Sequence, residues 1–189
     1  KNFKNVEFVI VDGTLEISKR TVTLTSADDE KVYDGTALTN STVTAGGDGF
    51  AEGEGATYDV TGTITEVGET ANAFTYTLNE GTKADNYTIT KVEGTLTVTE
   101  LTDKVTVTIT EKSGSEKYDG KEKTVAGYDV KISNELYTVD DFTFSGEATV
   151  KGTDAGSYNM ELKPADFTNT NKNFKNVEFV IVDGTLEIS

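Results

Sequence analysis

Residues 1–18 and 172–189 of this chain are the same eighteen residues, KNFKNVEFVIVDGTLEIS. Chance does not produce such a match, and repeats that drift apart rarely stay identical letter for letter. The chain is therefore expected to be a piece of an array with a long period of 171 residues. In such arrays each unit buries its core with its own strands and those of its neighbours. A fainter repeat lies inside the long one. KVYDG at 31–35 answers to KYDG at 117–120, which sets the two Tyr-Asp-Gly triplets 85 residues apart. Gly62 and Gly68 recur as Gly146 and Gly152, Phe74 and Leu78 as Tyr158 and Leu162, and GTLTV at 94–98 as GTLEI at 184–188. The order is kept with small indels, so two diverged modules alternate: A over 19–100 and B over 101–189. Residues 1–18 then read as the closing hairpin of a preceding B module.

Within each module the dominant signal has period two. RTVTLT (20–25), VTGTIT (60–65), TLTVT (95–99) and VTVTIT (105–110) alternate apolar residues or glycine with threonine. That pattern puts Val, Leu and Ile on one face and hydroxyls on the other, as in a half-buried antiparallel strand. Thr and Val are stiff at χ1 and favour strands over helices. Asp-Gly, Glu-Gly, Gly-Gly and Gly-Asp turn signals recur at the spacing of small sandwiches. Both modules close on paired runs around a glycine: Thr88–Val92 and Thr95–Thr99 about Glu93-Gly94, Glu178–Val182 and Thr185–Ser189 about Asp183-Gly184. A two-residue connection ending in glycine suits a type I′ hairpin; a single long strand bulged at the glycine is the alternative. The fold expected is all-β, two tandem antiparallel sandwich-like modules. A β-grasp-like arrangement, with NELYTVDD at 134–141 as one short helix, is the other candidate. Only a few residues separate the modules, with no Gly/Ser or Pro-rich linker, so a stiff rod is expected.

A net charge of −16 argues against nucleic acid, which needs clustered Lys and Arg, and against an anionic membrane surface. It suits a soluble, self-repelling exterior. With neither cysteine nor histidine, there is no disulfide, zinc-thiolate site or cysteine nucleophile, and the commonest general base is missing. No apolar run approaches the ~18 residues of a membrane span.

The sharpest short motif is Tyr33-Asp34-Gly35 with its counterpart Tyr118-Asp119-Gly120. A catalytic reading would make the Asp a base and the Tyr an acid. The structural reading has Asp accepting local N–H bonds, Gly supplying φ > 0 and Tyr packing at the core edge. One occurrence per module favours the structural reading, and Asp183-Gly184 joins the same class of turn motifs. The acidic groups Asp28-Asp29-Glu30, Glu52 with Glu54, and Asp140-Asp141 lack the preset loop that gives calcium its oxygens. No metal, cofactor or catalytic residue is expected. Phe50, Tyr58 and Tyr137 are the aromatics a ligand could meet beside polar loops, and each also suits a core position.

KVYDGTALT at 31–39, the glycines that follow, and NYTITKVEGTLTVT at 86–99 resemble the YDG/MBG-type repeats of bacterial cell-surface proteins. The likeness spans both modules and is clearer in A, since KYDGKEKTV departs after the glycine. The resemblance implies a secreted, extracellular, often wall-anchored protein with no enzymatic activity, whose repeats serve as a stalk or spacer. The alternative is an adhesive module that binds a host glycan, mucin or matrix protein through its loops. Neighbouring repeats of the same chain are the partners it implies, without nucleic acid or membrane insertion.

Overall fold

The computed structural model describes residues 2–189. Module A contributes β1 (Arg20–Ser26), β2 (Asp29–Val32), β3 (Val43–Gly47), β4 (Ala56–Val60), β5 (Gly68–Ala71), β6 (Phe74–Leu78), β7 (Tyr87–Val92) and β8 (Thr95–Thr99). Module B begins with β9 (Val105–Glu111), β10 (Gly114–Glu116), β11 (Lys123–Ala126), β12 (Tyr128–Ile132) and β13 (Phe142–Phe144). It continues with β14 (Thr149–Gly152), β15 (Gly156–Asn159), β16 (Phe167–Asn169), β17 (Val177–Val182) and β18 (Thr185–Ile188). The protein is all-β and sandwich-like. Strands make up 47% of it and no helix reaches seven residues, which excludes a β-grasp helix over 134–141. Only Val139–Asp141 of that segment winds, as one 3-10 turn capped by Thr138 and Asp141.

Two compact units divide the chain, and they cut across the repeat. One comprises residues 1–27, 41–61 and 73–94; the other comprises 28–40, 62–72 and 95–189. In the first, β1 is the centre of a three-stranded sheet, antiparallel to β3 and parallel to β7, while β4 and β6 form an antiparallel pair. Its core is Val22, Leu24, Phe74 and Tyr87. Val22 and Leu24 point inward because the Thr/apolar alternation of β1 leaves only one apolar face.

The second unit holds β2, β5 and β8, with β8 central, parallel to β2 and antiparallel to β5. It also holds the whole of B, where the same plan recurs. β9 is flanked by antiparallel β12 and parallel β17; β18 is flanked by parallel β10 and antiparallel β15. Val105, Val107 and Ile109 of β9 and Leu186 and Ile188 of β18 share one buried cluster. β11–β14 and β13–β16 add two antiparallel pairs.

Three features depart from the sequence reading. The sheets are mixed, because in each module the opening strands pair in parallel with the closing ones. The closing segments are not hairpins and not single bulged strands: β7 and β8, like β17 and β18, enter different sheets. Crossing over turns both apolar faces toward the core, which a hairpin within one sheet does not do. Gly94 and Gly184 are needed there for closeness, since neither has a left-handed φ. A Cβ on Gly184 would stand 2.4 Å from the Lys112 carbonyl oxygen, and one on Gly94 2.5 Å from that of Ala27. Finally, Phe74 and Tyr158 are not counterparts. Phe74 starts β6 beside β4, whereas Tyr158 is in β15 beside β18, the place that β5 holds in A.

Residues 2–19 form no strand, and their side chains are exposed throughout.

Candidate functional site

The Tyr-Asp-Gly turn of module A closes β2 inside the larger unit. One Asp34 carboxylate oxygen accepts from the Thr36 N–H (2.9 Å), the Thr36 hydroxyl (2.7 Å) and the Lys31 ammonium (2.7 Å). These donors hold its pKa down at about 2, the Lys31 bond contributing most. Gly35 follows at φ 76, a backbone state that L side chains rarely adopt. The turn aims Tyr33 inward, where the ring is 9% exposed and meets Phe174 edge-on at 5.5 Å. Phe174 in turn stands edge-on to Tyr137 at 5.0 Å, and Tyr137 stacks on Phe142.

Beside these rings lies an amide cluster. Asn173 is buried; its side-chain oxygen accepts from the Val67 N–H at 2.8 Å, and its side-chain nitrogen donates to the Glu66 carboxylate. The Asn173 carbonyl accepts from the Leu101 N–H (2.8 Å), and the Leu101 carbonyl accepts from the Lys175 N–H (3.0 Å). Asn171 holds the loop from the other side. Its side chain donates to Asp141 at 2.8 Å and accepts from the Asn173 N–H at 2.9 Å. Residues of A (Tyr33, Glu66, Val67) and of B (Tyr137, Asn173, Phe174) thus meet in one buried knot.

Its chemistry is that of a clamp. Burial, then the Glu66 and Asp141 charges, raise the Tyr33 pKa; burial and Asp141 push that of Tyr137 up to about 12. Phenols held neutral at working pH donate hydrogen bonds and do not shuttle protons. The Tyr137 hydroxyl donates to the Asn169 side chain (2.9 Å) and stands 3.1 Å from the Asp141 carbonyl.

The remaining candidates lie apart. Asp119 accepts from the Lys121 N–H (3.0 Å) and the Lys123 ammonium (2.9 Å), which lower its pKa, and Gly120 has φ 74. Tyr118, however, is 54% exposed, with no ring packed against it. Asp183 is exposed. Of the three possible ligand contacts, Tyr137 is buried inside the clamp and offers no face. Phe50 is half-buried edge-on to Tyr87 at 5.2 Å, and Tyr58 is half-buried against Phe74 at 6.3 Å. No common site brings the three together within either unit. Among the described residues no three acidic side chains are placed to hold a metal ion.

Two residues were missed from sequence. Glu111 is 3% exposed, its two carboxylate oxygens accepting the Leu162 and Gly184 N–H groups, each at 2.7 Å. Ser26 does the same for Gly94 at 2.9 Å in module A. The signal was there: in RTVTLTS and VTVTITE both residues fall on the inward register.

The MBG domain family matches residues 105–189, from the first residue of β9 to the end of β18, a little under half of the chain. Neither a curated protein nor a solved structure matches the chain.

Proposed function

With an MBG repeat domain at 105–189 as the premise, we propose that the chain is a stalk or spacer of tandem repeats in a secreted bacterial surface protein, holding a distal binding region away from the cell. One observation carries this reading. Tyr33, Leu38, Leu96 and Val98 of module A belong to the same buried cluster as the core of module B. Successive repeats that share a core pass tension from one to the next without a slack linker. Extracellular placement rests on the net charge of −16 and the absence of cysteine.

The adhesive reading has one feature in its favour, the exposed ring of Tyr118. A host-glycan and matrix-protein array decides between them. The spacer role expects no saturable binding by the wild-type chain. Saturable binding that disappears in Tyr118→Ala would replace the spacer with an adhesive module.

A further inference from the structure

Two copies of one sequence lie in opposite environments. In the C-terminal copy, Val177, Phe179 and Ile181 form the inner face of β17, paired in parallel with β9 from Val177↔Val105 to Val182↔Thr110. Leu186 and Ile188 of β18 are buried between β10 and β15. In the N-terminal copy the same side chains are Val6, Phe8, Ile10, Leu15 and Ile17, and they are 61% to 88% exposed.

We propose that residues 1–18 of one chain take the place of β17 and β18 in a second copy, displacing that copy's residues 172–189 and joining chains head to tail by strand exchange. The occupant follows from the fit. Every side chain the site needs is present in the donor in the same order, so Phe8 takes the position of Phe179 opposite Val107, and Ile10 that of Ile181 opposite Ile109. Gly13 takes the place of Gly184, where a Cβ would strike the carbonyl oxygens of Glu111 and Lys112. The buried Glu111 carboxylate that holds the Gly184 N–H then holds that of Gly13. Other peptides fail at that crossing unless they too carry glycine there.

Lys19 alone separates the segment from β1. A docked donor therefore continues into its own module A directly after the acceptor's module B, which is the succession the duplicated sequence encodes. Such a heterologous contact extends into open chains unless it closes on itself. Exchange loses and regains identical contacts, so concentration decides it. The acceptor's own tethered segment competes at an effective concentration on the order of millimolar. Self-complementation therefore prevails at micromolar protein, and exchange becomes competitive near millimolar after refolding.

The absence of cysteine makes trapping clean. In the exchanged form Val9 replaces Val180, the partner of Thr108. Val9→Cys with Thr108→Cys in the full-length chain thus brings two thiols together across neighbouring parallel strands, within disulfide reach. The double variant is unfolded in guanidinium, refolded at about 10 µM and at about 1 mM, either side of the tether's effective concentration, and then oxidised. The expected result is a ladder of linked dimers and higher species at the higher concentration, reduced about tenfold or more at the lower. Excess free peptide of sequence 172–189 should suppress it, and Phe8→Cys with Thr108→Cys, one residue out of register, should not form it. A ladder no stronger than in either single variant overturns the proposal. So does a disulfide confined to the monomer band, which returns the segment to its own chain. A second readout needs no cysteine: sedimentation of wild type refolded at about 1 mM should show oligomers that Ile10→Asp with Leu15→Asp abolishes. Monomeric wild type, or oligomers that persist in the variant, also overturn it.

Discussion

Glu111 and Gly184 show how much a single atom decides at the crossing from β17 to β18. The carboxylate serves two buried N–H groups that no strand pairs. Glu111→Ala leaves both without an acceptor and should lower stability by about 2–4 kcal/mol, read by urea denaturation. Gly184→Ala sets a Cβ against fixed backbone oxygens and should cost about 1–3 kcal/mol or more. Its control is built in. Gly13 occupies the same sequence context with nothing within 4 Å of an added Cβ, so Gly13→Ala should stay within about 0.5 kcal/mol. Asp34 sets an acid-side dependence. Its folded pKa, about 2 against an ordinary 3.8, is depressed, so its contribution is present above the ordinary value and is lost as pH falls from near 4 toward 2. The group is exposed and the effect is modest. Asp34→Asn should flatten that part of the melting-temperature profile, and a carboxyl titration by NMR should find Asp34 still ionised at pH 3.

At the scale of elements, the parallel ladders β1–β7 and β9–β17 are the unit's signature. Period-two alternation tells which side chains face inward but is silent on strand direction, because a reversed strand shows the same faces. Glycine placement was equally ambiguous: a hairpin and a crossing both ask for glycine at 94 and 184, one for its dihedrals and the other for its missing Cβ. Deletion separates the two copies of the repeated segment. Removing residues 1–18 should leave the melting transition of the larger unit unchanged. Removing 172–189, the same eighteen residues, takes away β17 and β18 and should abolish that transition in calorimetry, since β9 loses a partner and the core loses Leu186 and Ile188.

For the whole molecule, the clamp of Tyr33, Asn173 and Phe174 ties a turn of one repeat to a loop of the next. Phe174→Ala opens a cavity between two tyrosines and should cost about 3–5 kcal/mol. It should also let the Tyr33 phenol fall toward its ordinary pKa, visible in an ultraviolet titration. Phe3 has the same place in the N-terminal copy and is 91% exposed; Phe3→Ala should change neither. The clamp was only partly legible in advance. The repetition of Tyr-Asp-Gly pointed to structure over catalysis, and Tyr137 suited a core. Nothing local said that Phe174 would bury Tyr33 while Tyr118 stayed open, because the two contacting residues lie 141 positions apart.

The sequence by itself determined the all-β class, the doubled module and the inward face of each strand, because alternation and repetition are local and period-bound. Tertiary structure alone decided strand direction, the crossing at Gly94 and Gly184, and which tyrosine is covered. The two copies of KNFKNVEFVIVDGTLEIS make the division plain. Identical residues carry identical propensities, yet one copy is two buried strands and the other is exposed without a strand. The difference is the partner surface of β9, β10 and β15, since a strand's backbone and its apolar face are stabilised only by what pairs with and covers them.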